Sequence, residues 1–444
     1  MKLKYIYISL LSLGLLSSCD KYLDVEPKGI IIPNKLDDYD KLLNSPTTTN
    51  SFSQYLIYAS DDIHTDFTTN AVDPKTNIYF WKTILDTDND ASPVIWTEFY
   101  RQIYNANIII NNVGKAVDGS ESRKNQLLAE ALTNRAEAHF NLLTAFSKAY
   151  DDKTAGSLPG IPWVTYTDVT NKTPSRSTLQ ATLDLIIKDL QQAESLLSNT
   201  RLNKTRVNKA VASAILTRVY LYMGNYEEVA KYAELALKEP HSFRNYNDYY
   251  SVYEFPSEET DPEILWLRAS TDDAQIYYLN YANDLLNLYD PDDLRGVLFP
   301  ADYYGLGWYM KQTRGWGNFG ISFMEIKLSQ AEALAHQNKL TQALAILNEI
   351  RELRTAATAY KPFSSGNKEE VIKAILLERR KELAFGSNRW MDMKRLAKQG
   401  RGSKSIRQSV DFENLISIDP NAYEYTFEIP SRVLMFNPDM QKNF

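Results

Sequence analysis

The segment that most restricts the fold is a helical hairpin written into residues 208–240, NKAVASAILTRVYLYMGNYEEVAKYAELALKEP. Small residues recur where two antiparallel helices must approach closely. Leu216 and Tyr220 fill the groove between them, Gly224 permits a tight turn, and Pro240 closes the unit. A second hairpin, MEIKLSQAEALAHQNKLTQALAILNEIRELR, places Ala331, Leu334, Asn338, Leu340 and Ala343 in the corresponding positions. One such hairpin cannot bury its apolar stripe alone, so copies must stack on neighbours. More than a hundred residues separate equivalent points of the two units. Stacking does not need that interval, so residues 245–320 are predicted to be an insertion projecting from the helical body, where binding surfaces tend to be built.

The first hairpin comes close to the tetratricopeptide pattern. Helical periodicity continues in both directions from it. Ile95 to Val117 carries a stripe at Ile95, Phe99, Ile103, Ala106 and Ile110. Helices are also expected over 127–150, 177–197 and 368–385, with an irregular tail containing Pro420, Pro430 and Pro438. The predicted class is mostly α, a tetratricopeptide-repeat helical scaffold with a loop-rich region. Helix is expected in well over half of the ordered residues, and strands should be few and short. Repeats fall at about 95–240 and 321–400 within a single domain, residues 36–444.

The N-terminus reads MKLKYIYISLLSLGLLSSC. Lys2 and Lys4 precede an apolar run of about a dozen residues, too short for a bilayer-spanning helix but suited to a signal peptide. Leu16-Ser17-Ser18-Cys19 has the spacing read by lipoprotein signal peptidase. Residues 1–18 are therefore expected to be a signal peptide, Cys19 the lipidated residue, and 19–35 a tether. Cys19 is the single cysteine in the chain. The body must then stand without disulfides, on a core that its length can supply. A net charge of −7 argues against a nucleic-acid partner.

Six segments in order resemble one family. They are the lipobox, RAEAHFNLLTAFSKAY, the two hairpins, LLERRKELAFGSNRWMDMKRL, and the ending IPSRVLMFNPDMQKNF. Together they are similar to the SusD/RagB nutrient-binding proteins across nearly the whole mature chain. That resemblance implies an outward-facing outer-membrane lipoprotein that captures glycan and delivers it to a SusC-like TonB-dependent transporter. It implies no cofactor and no catalysis. A peptide-binding protein of the RagB branch, a glycoside hydrolase, and an intracellular tetratricopeptide scaffold are the alternatives, the last opposed by the lipobox.

Within this frame the candidate ligand residues are aromatic, because a sugar's C–H face packs on a phenol or indole ring. The run FPADYYGLGWYMKQTRGWGNFG sets Tyr303, Tyr304, Trp308, Tyr309, Trp316 and Phe319 among glycines that bury rings poorly. Trp308 and Trp316 lead this set, with Tyr303 and Tyr304. Trp81, in the early loop region, is a further candidate against the competing expectation of core packing. Trp96 and Trp390 are assigned to structure, and Trp163 and Trp266 lean the same way. Glu378, Glu382 and Asp392 look catalytic, but a glycosidase needs two carboxylates facing each other across a sugar. A structural charge network is the expected role. Four scattered histidines form no metal motif, so no metal site is expected. Asp86-Thr87-Asp88-Asn89-Asp90 opens like a calcium loop but has Ala91 where glycine belongs and its acid one residue late, at Glu98. A polar surface turn is expected there.

Overall fold

The computed structural model describes residues 33–65, 67, 73–86, 90–249, 256–270, 279–302, 308–310, 318–408, 415–420, 422 and 425–444. The longer helices are α1 (Leu36–Leu43), α2 (Trp96–Asn112), α3 (Glu121–Phe146), α4 (Leu179–Leu196) and α5 (Lys209–Met223). They continue with α6 (Tyr226–Ala236), α7 (Phe323–His336), α8 (Leu340–Arg354), α9 (Lys368–Glu382) and α10 (Arg389–Lys398). Each of α2 to α6 packs on the next helix in sequence, and α7 packs on α6, α8 and α9. Helix accounts for about half of the described residues rather than well over half. The insertion and tail stay irregular, with short strands and loops in place of further repeats.

Both hairpins turn through left-handed backbone. Gly224 has φ +72°, and Asn338, at the equivalent position of the second unit, has φ +62°. Glycine and asparagine are the residues that tolerate this conformation most readily. Side-chain caps mark where helices start. Ser120, Thr178, Asn208 and Ser322 accept backbone N–H groups in the first turns of α3, α4, α5 and α7. Alanines at 129, 131, 136, 138 and 145 of α3 are fully buried, which lets α2 and α4 come close on either side.

The two hairpins stack directly in spite of the sequence between them. The Tyr226 ring of α6 lies 3.7 Å from the His336 ring of α7, nearly parallel to it. Gln337 donates from Nε2 to the Tyr226 carbonyl at 2.7 Å. The insertion therefore leaves and rejoins a continuous helical stack.

The ending of the chain has a structural task at the C-terminal end of α3, where the last carbonyls lack helical donors. Asn443 Nδ2 donates to Phe146 O (2.8 Å) and Phe427 O (2.7 Å). Trp390 Nε1 donates to Thr144 O, and Lys394 Nζ donates to both Thr144 O and Ser147 O at 2.6 Å. The Trp390 ring stacks on Phe427 at 5.2 Å.

The strands are β1 (Ile63–His64), β2 (Pro159–Pro162), β3 (Arg176–Thr178), β4 (Ile264–Trp266) and β5 (Asn280–Tyr281). After them come β6 (Pro300–Asp302), β7 (Trp308–Met310), β8 (Ile321–Ser322), β9 (Ser405–Gln408) and β10 (Leu415–Ile418). They form one four-stranded sheet, β1-β5-β7-β6, and three antiparallel pairs, β2–β3, β4–β8 and β9–β10. No helix among the described residues is long and apolar enough to cross a membrane.

Candidate functional site

The insertion stands on a base closed by β4 and β8, whose register sets Ile264 opposite Ser322 and Trp266 opposite Ile321. Gly320 is needed here, since a Cβ would sit 2.0 Å from the Trp266 carbonyl oxygen. Asn318 Oδ1 accepts the backbone N–H of Arg268 (3.0 Å) and of Gly320 (2.8 Å). Phe319 is buried and stacks on Phe52 at 4.9 Å, joining the strap to the N-terminal region. Beneath them Arg218 of α5 grips Glu325 of α7 through two 2.8 Å bonds and the Gly320 carbonyl through a third at 2.7 Å.

A buried charge network fixes this base to the C-terminal helices. Arg354 of α8 has no exposed side-chain surface and bonds Glu382 of α9, Glu263 beside β4, and the Arg244 carbonyl. Arg295 reaches Asp293, Glu378 and Glu382 at 2.6–2.9 Å. Arg379 pairs with Asp392, and Arg395 pairs with both Asp392 and Glu332 of α7. Burial alone would raise the Asp293 and Asp392 carboxyls. The flanking cations outweigh it and hold both near about 2, Asp293 through Arg295 and Lys381, Asp392 through Arg379 and Arg395. The ER-x-x-EL…RW-x-D-x-KR stretch is thus a set of structural pairs, the role its charge pattern leads one to expect.

Between this base and the end of α9 lies a cavity of about 120 Å³, lined among others by Arg244, Tyr246, Asn318, Phe385 and Asn388. Several carboxylates also border it, but Glu263, Glu325 and Glu382 are each held by guanidinium groups. The Asn388 side-chain oxygen is buried without a hydrogen-bond partner among the described residues. Such a space holds a few waters or one polar group of a ligand. Among the described residues no group of three or more His, Cys, Asp or Glu is placed to hold a metal ion. Asp86 is buried, which pushes its carboxyl up to about 6, and residues 87–89 of the Asp-rich run lie outside the described residues.

The predicted site residues separate into two groups. Trp308 begins β7 of the four-stranded sheet, while Tyr303, Tyr304, Trp316 and Cys19 lie outside the described residues. Trp81 is only 2% exposed, so the expectation that it offers a ring to ligand is corrected. Its Nε1 donates to the Ala59 carbonyl at 2.8 Å, and the Arg407 guanidinium lies 4.2 Å from its ring centre. It is core. Trp96, Trp266 and Trp390 are also buried, and Trp163 stacks on His139 at 4.0 Å.

Sequence reading missed the partners of the aromatic strand. β7 pairs with β5, and β5 with β1, so Tyr309 stands opposite Asn280 and Asn280 opposite His64. No local signal links residues more than two hundred positions apart.

Comparison with known proteins agrees along most of the chain. A family profile described as starch-binding and associating with the outer membrane matches residues 21–221, and the SusD family profile matches 323–444. SusD-like protein P2 of Formosa agariphila is 24% identical over 431 residues, covering 80% of this chain and 81% of the relative. SusD-like protein P25 of the same organism is 24% identical over 60% of this chain, and the match spans only 51% of P25. A SusD superfamily crystal structure from Bacteroides thetaiotaomicron superposes with a TM-score of 0.77 at 24% identity, over 92% of this chain and all of that one. A laminarin binding SusD-like protein superposes at 0.66 and 17% identity, covering 91% and 98% of the two chains.

Proposed function

Because this chain belongs to the SusD/RagB family, we propose that it is a cell-surface lipoprotein that captures oligosaccharide at its insertion and delivers it to a SusC-like TonB-dependent transporter. The observation that carries the reading is the pairing of an aromatic, glycine-rich segment with a base immobilised by buried arginine pairs. A segment of that composition buries rings poorly, and the base beneath it is held by ion pairs rather than disulfides. Trp308 and Trp316 are the leading stacking residues, with Tyr303 and Tyr304 beside them. The laminarin-binding neighbour supports a glycan ligand. Carboxylates at the base are engaged by arginines, which favours binding over hydrolysis.

In this reading Cys19 carries the lipid, residues 19–35 form the tether, and the body faces outward from the outer membrane. The test is a glycan and peptide array probed with the soluble protein from residue 20. A peptide-only response would replace the glycan by a RagB-type ligand. Cys19→Ala should abolish palmitate labelling and release the protein from the outer membrane with its fold intact. Affinity purification from native membranes in gentle detergent should bring the transporter with it, and recovery of the chain alone would count against delivery.

A further inference from the structure

Ten large apolar side chains are exposed among the described residues, and they are unevenly spread. Tyr104, Val117, Val169, Leu202, Leu377 and Ile406 fall on separate helices, strands or loops. The other four, Ile84, Met435, Phe436 and Phe444, are each more than half exposed and belong to one region. Ile84 and Phe444 line the same groove of about 530 Å³, together with Leu85, Ile429, Pro430 and Leu434. Met435 and Phe436 follow Leu434 at the end of the short helix Ser431–Phe436 and extend the apolar surface beyond the groove. Single exposed apolar residues are ordinary, whereas a cluster marks a surface that another molecule covers.

The two walls of the groove are tied to each other. The Glu428 N–H donates to the Thr83 carbonyl at 2.9 Å. The Glu428 carboxylate accepts the backbone N–H groups of Ile429 (2.7 Å), Asn443 (2.9 Å) and Phe444 (3.0 Å). Arg432 donates to the Asp90 carbonyl, which holds the short helix against the start of the following segment. A surface fixed in this way loses little conformational freedom when a partner binds.

Charge and shape narrow the partner. The chain carries a net charge of −7, yet Lys82 beside one wall and Lys442 on the other are both exposed. The acids that line the groove are turned inward, Glu428 onto backbone N–H groups and Asp86 into the protein, where it is 8% exposed. Asp439, further along the tail, is paired with Lys172. The face therefore suits an apolar surface flanked by acids. Thr83, Ser431 and Asp86 also line the groove, and hydrocarbon filling it would leave such groups without hydrogen bonds. A protein loop supplies both an apolar side chain and backbone donors and acceptors, so a protein fits better than an acyl chain.

We propose that this groove is the docking surface for the transporter, which sets an apolar side chain between Ile84 and Phe444 and acidic residues beside Lys82 and Lys442. The inference rests on the delivery reading above and assigns that contact to named residues.

The test uses the full lipidated chain in native membranes, purified in gentle detergent, with the transporter identified by mass spectrometry. Ile84→Asp and Phe444→Asp should each lower the transporter recovered by roughly tenfold or more, with the thermal melt and glycan binding unchanged. Val169→Asp, an exposed apolar position on a distant loop, should recover it like the parent. Parental recovery in both groove variants overturns the proposal and leaves delivery standing. Equal loss in Val169→Asp overturns it too, because the effect is then not local. A parent that brings down no transporter sinks the delivery reading and this inference with it. The lipid alternative is read with the soluble protein from residue 20 and vesicles of phosphatidylethanolamine and phosphatidylglycerol. Flotation that Ile84→Asp abolishes, with transporter recovery intact, assigns the face to lipid and overturns the proposal. Should Phe444→Asp fail to fold, Ile84→Asp decides the matter alone.

Discussion

Two stretches of this chain look equally functional on paper and behave in opposite ways in the fold. Residues 378–395 are dense in acids and bases, and residues 299–320 are dense in aromatics and glycines. In the first, Glu378, Arg379, Asp392 and Arg395 are all buried, and each is bonded to at least one oppositely charged partner. Several of those partners belong to other segments, such as Glu332 of α7. Chemistry of that kind is immobilised, because its charges are paired across helices inside the core. In the second, the Asn318–Gly320 strap is pinned by hydrogen bonds to the Arg268 and Gly320 backbone, while β7 joins a four-stranded sheet whose other strands come from distant parts of the chain. Density of reactive side chains is thus a poor guide to function, and placement relative to the core is a better one.

The sharpest way to break this contrast is to remove one member of the buried network. Arg395→Ala leaves Glu332 charged and without its guanidinium at a site with no solvent exposure. The expected loss is about 3–5 kcal/mol of stability in chemical denaturation. The paired replacement Arg395→Met with Glu332→Leu should recover most of it, because an apolar pair of similar volume carries no desolvation penalty. If the single variant melts like the parent, the network is not what holds the base.

Next in size come the insertion aromatics. Trp308→Ala or Trp316→Ala should weaken glycan binding by about 1–3 kcal/mol, or about ten- to a hundredfold, while the melting curve stays put. That is the reverse of the Arg395 phenotype. Calorimetric titration read beside thermal melts separates the two, and a large melting shift in either tryptophan variant would erase the contrast.

A smaller effect should appear in acid. His139 of α3 is fully buried, which drives its imidazole down to about 3 despite its bond to the Arg135 carbonyl. In the unfolded chain it takes up a proton near pH ~6.5. The unfolded state therefore binds more protons between these values, and stability falls as pH drops from about 6.5 towards 3. His139→Gln should lose about 2 kcal/mol less than the parent between pH 7 and pH ~4.5. Equal acid sensitivity in the two proteins would show that other groups govern the limb.

At the bottom of the scale lies the exposed Lys41–Asp37 pair of α1, both side chains 71% accessible. Water screens it, and Asp37→Asn should leave the melting temperature within error. A measurable drop would mean that exposure is the wrong discriminator between charge pairs in this fold.

The local patterns of the sequence determined a good deal by themselves. Helical periodicity placed α2, α4, α5, α6, α7 and α8 to within a few residues, because an amphipathic stripe and its caps are properties of neighbouring positions. Gly224 and Asn338 announced the two turns for the same reason. The charge pattern of residues 378–395 suggested a network, although not its partners. What only the tertiary structure decided depends on distant segments meeting. Trp81 could be read from sequence either as a ligand ring or as core, and Arg407 and Ala59, 326 and 22 positions away, decide for the core. Asn443 caps α3 across 297 positions. The alignment of His64, Asn280 and Tyr309 exists only through strand register. Pairing between strands is set by backbone hydrogen bonds that carry no residue code, so which faces and neighbours result is a decision of the packed chain.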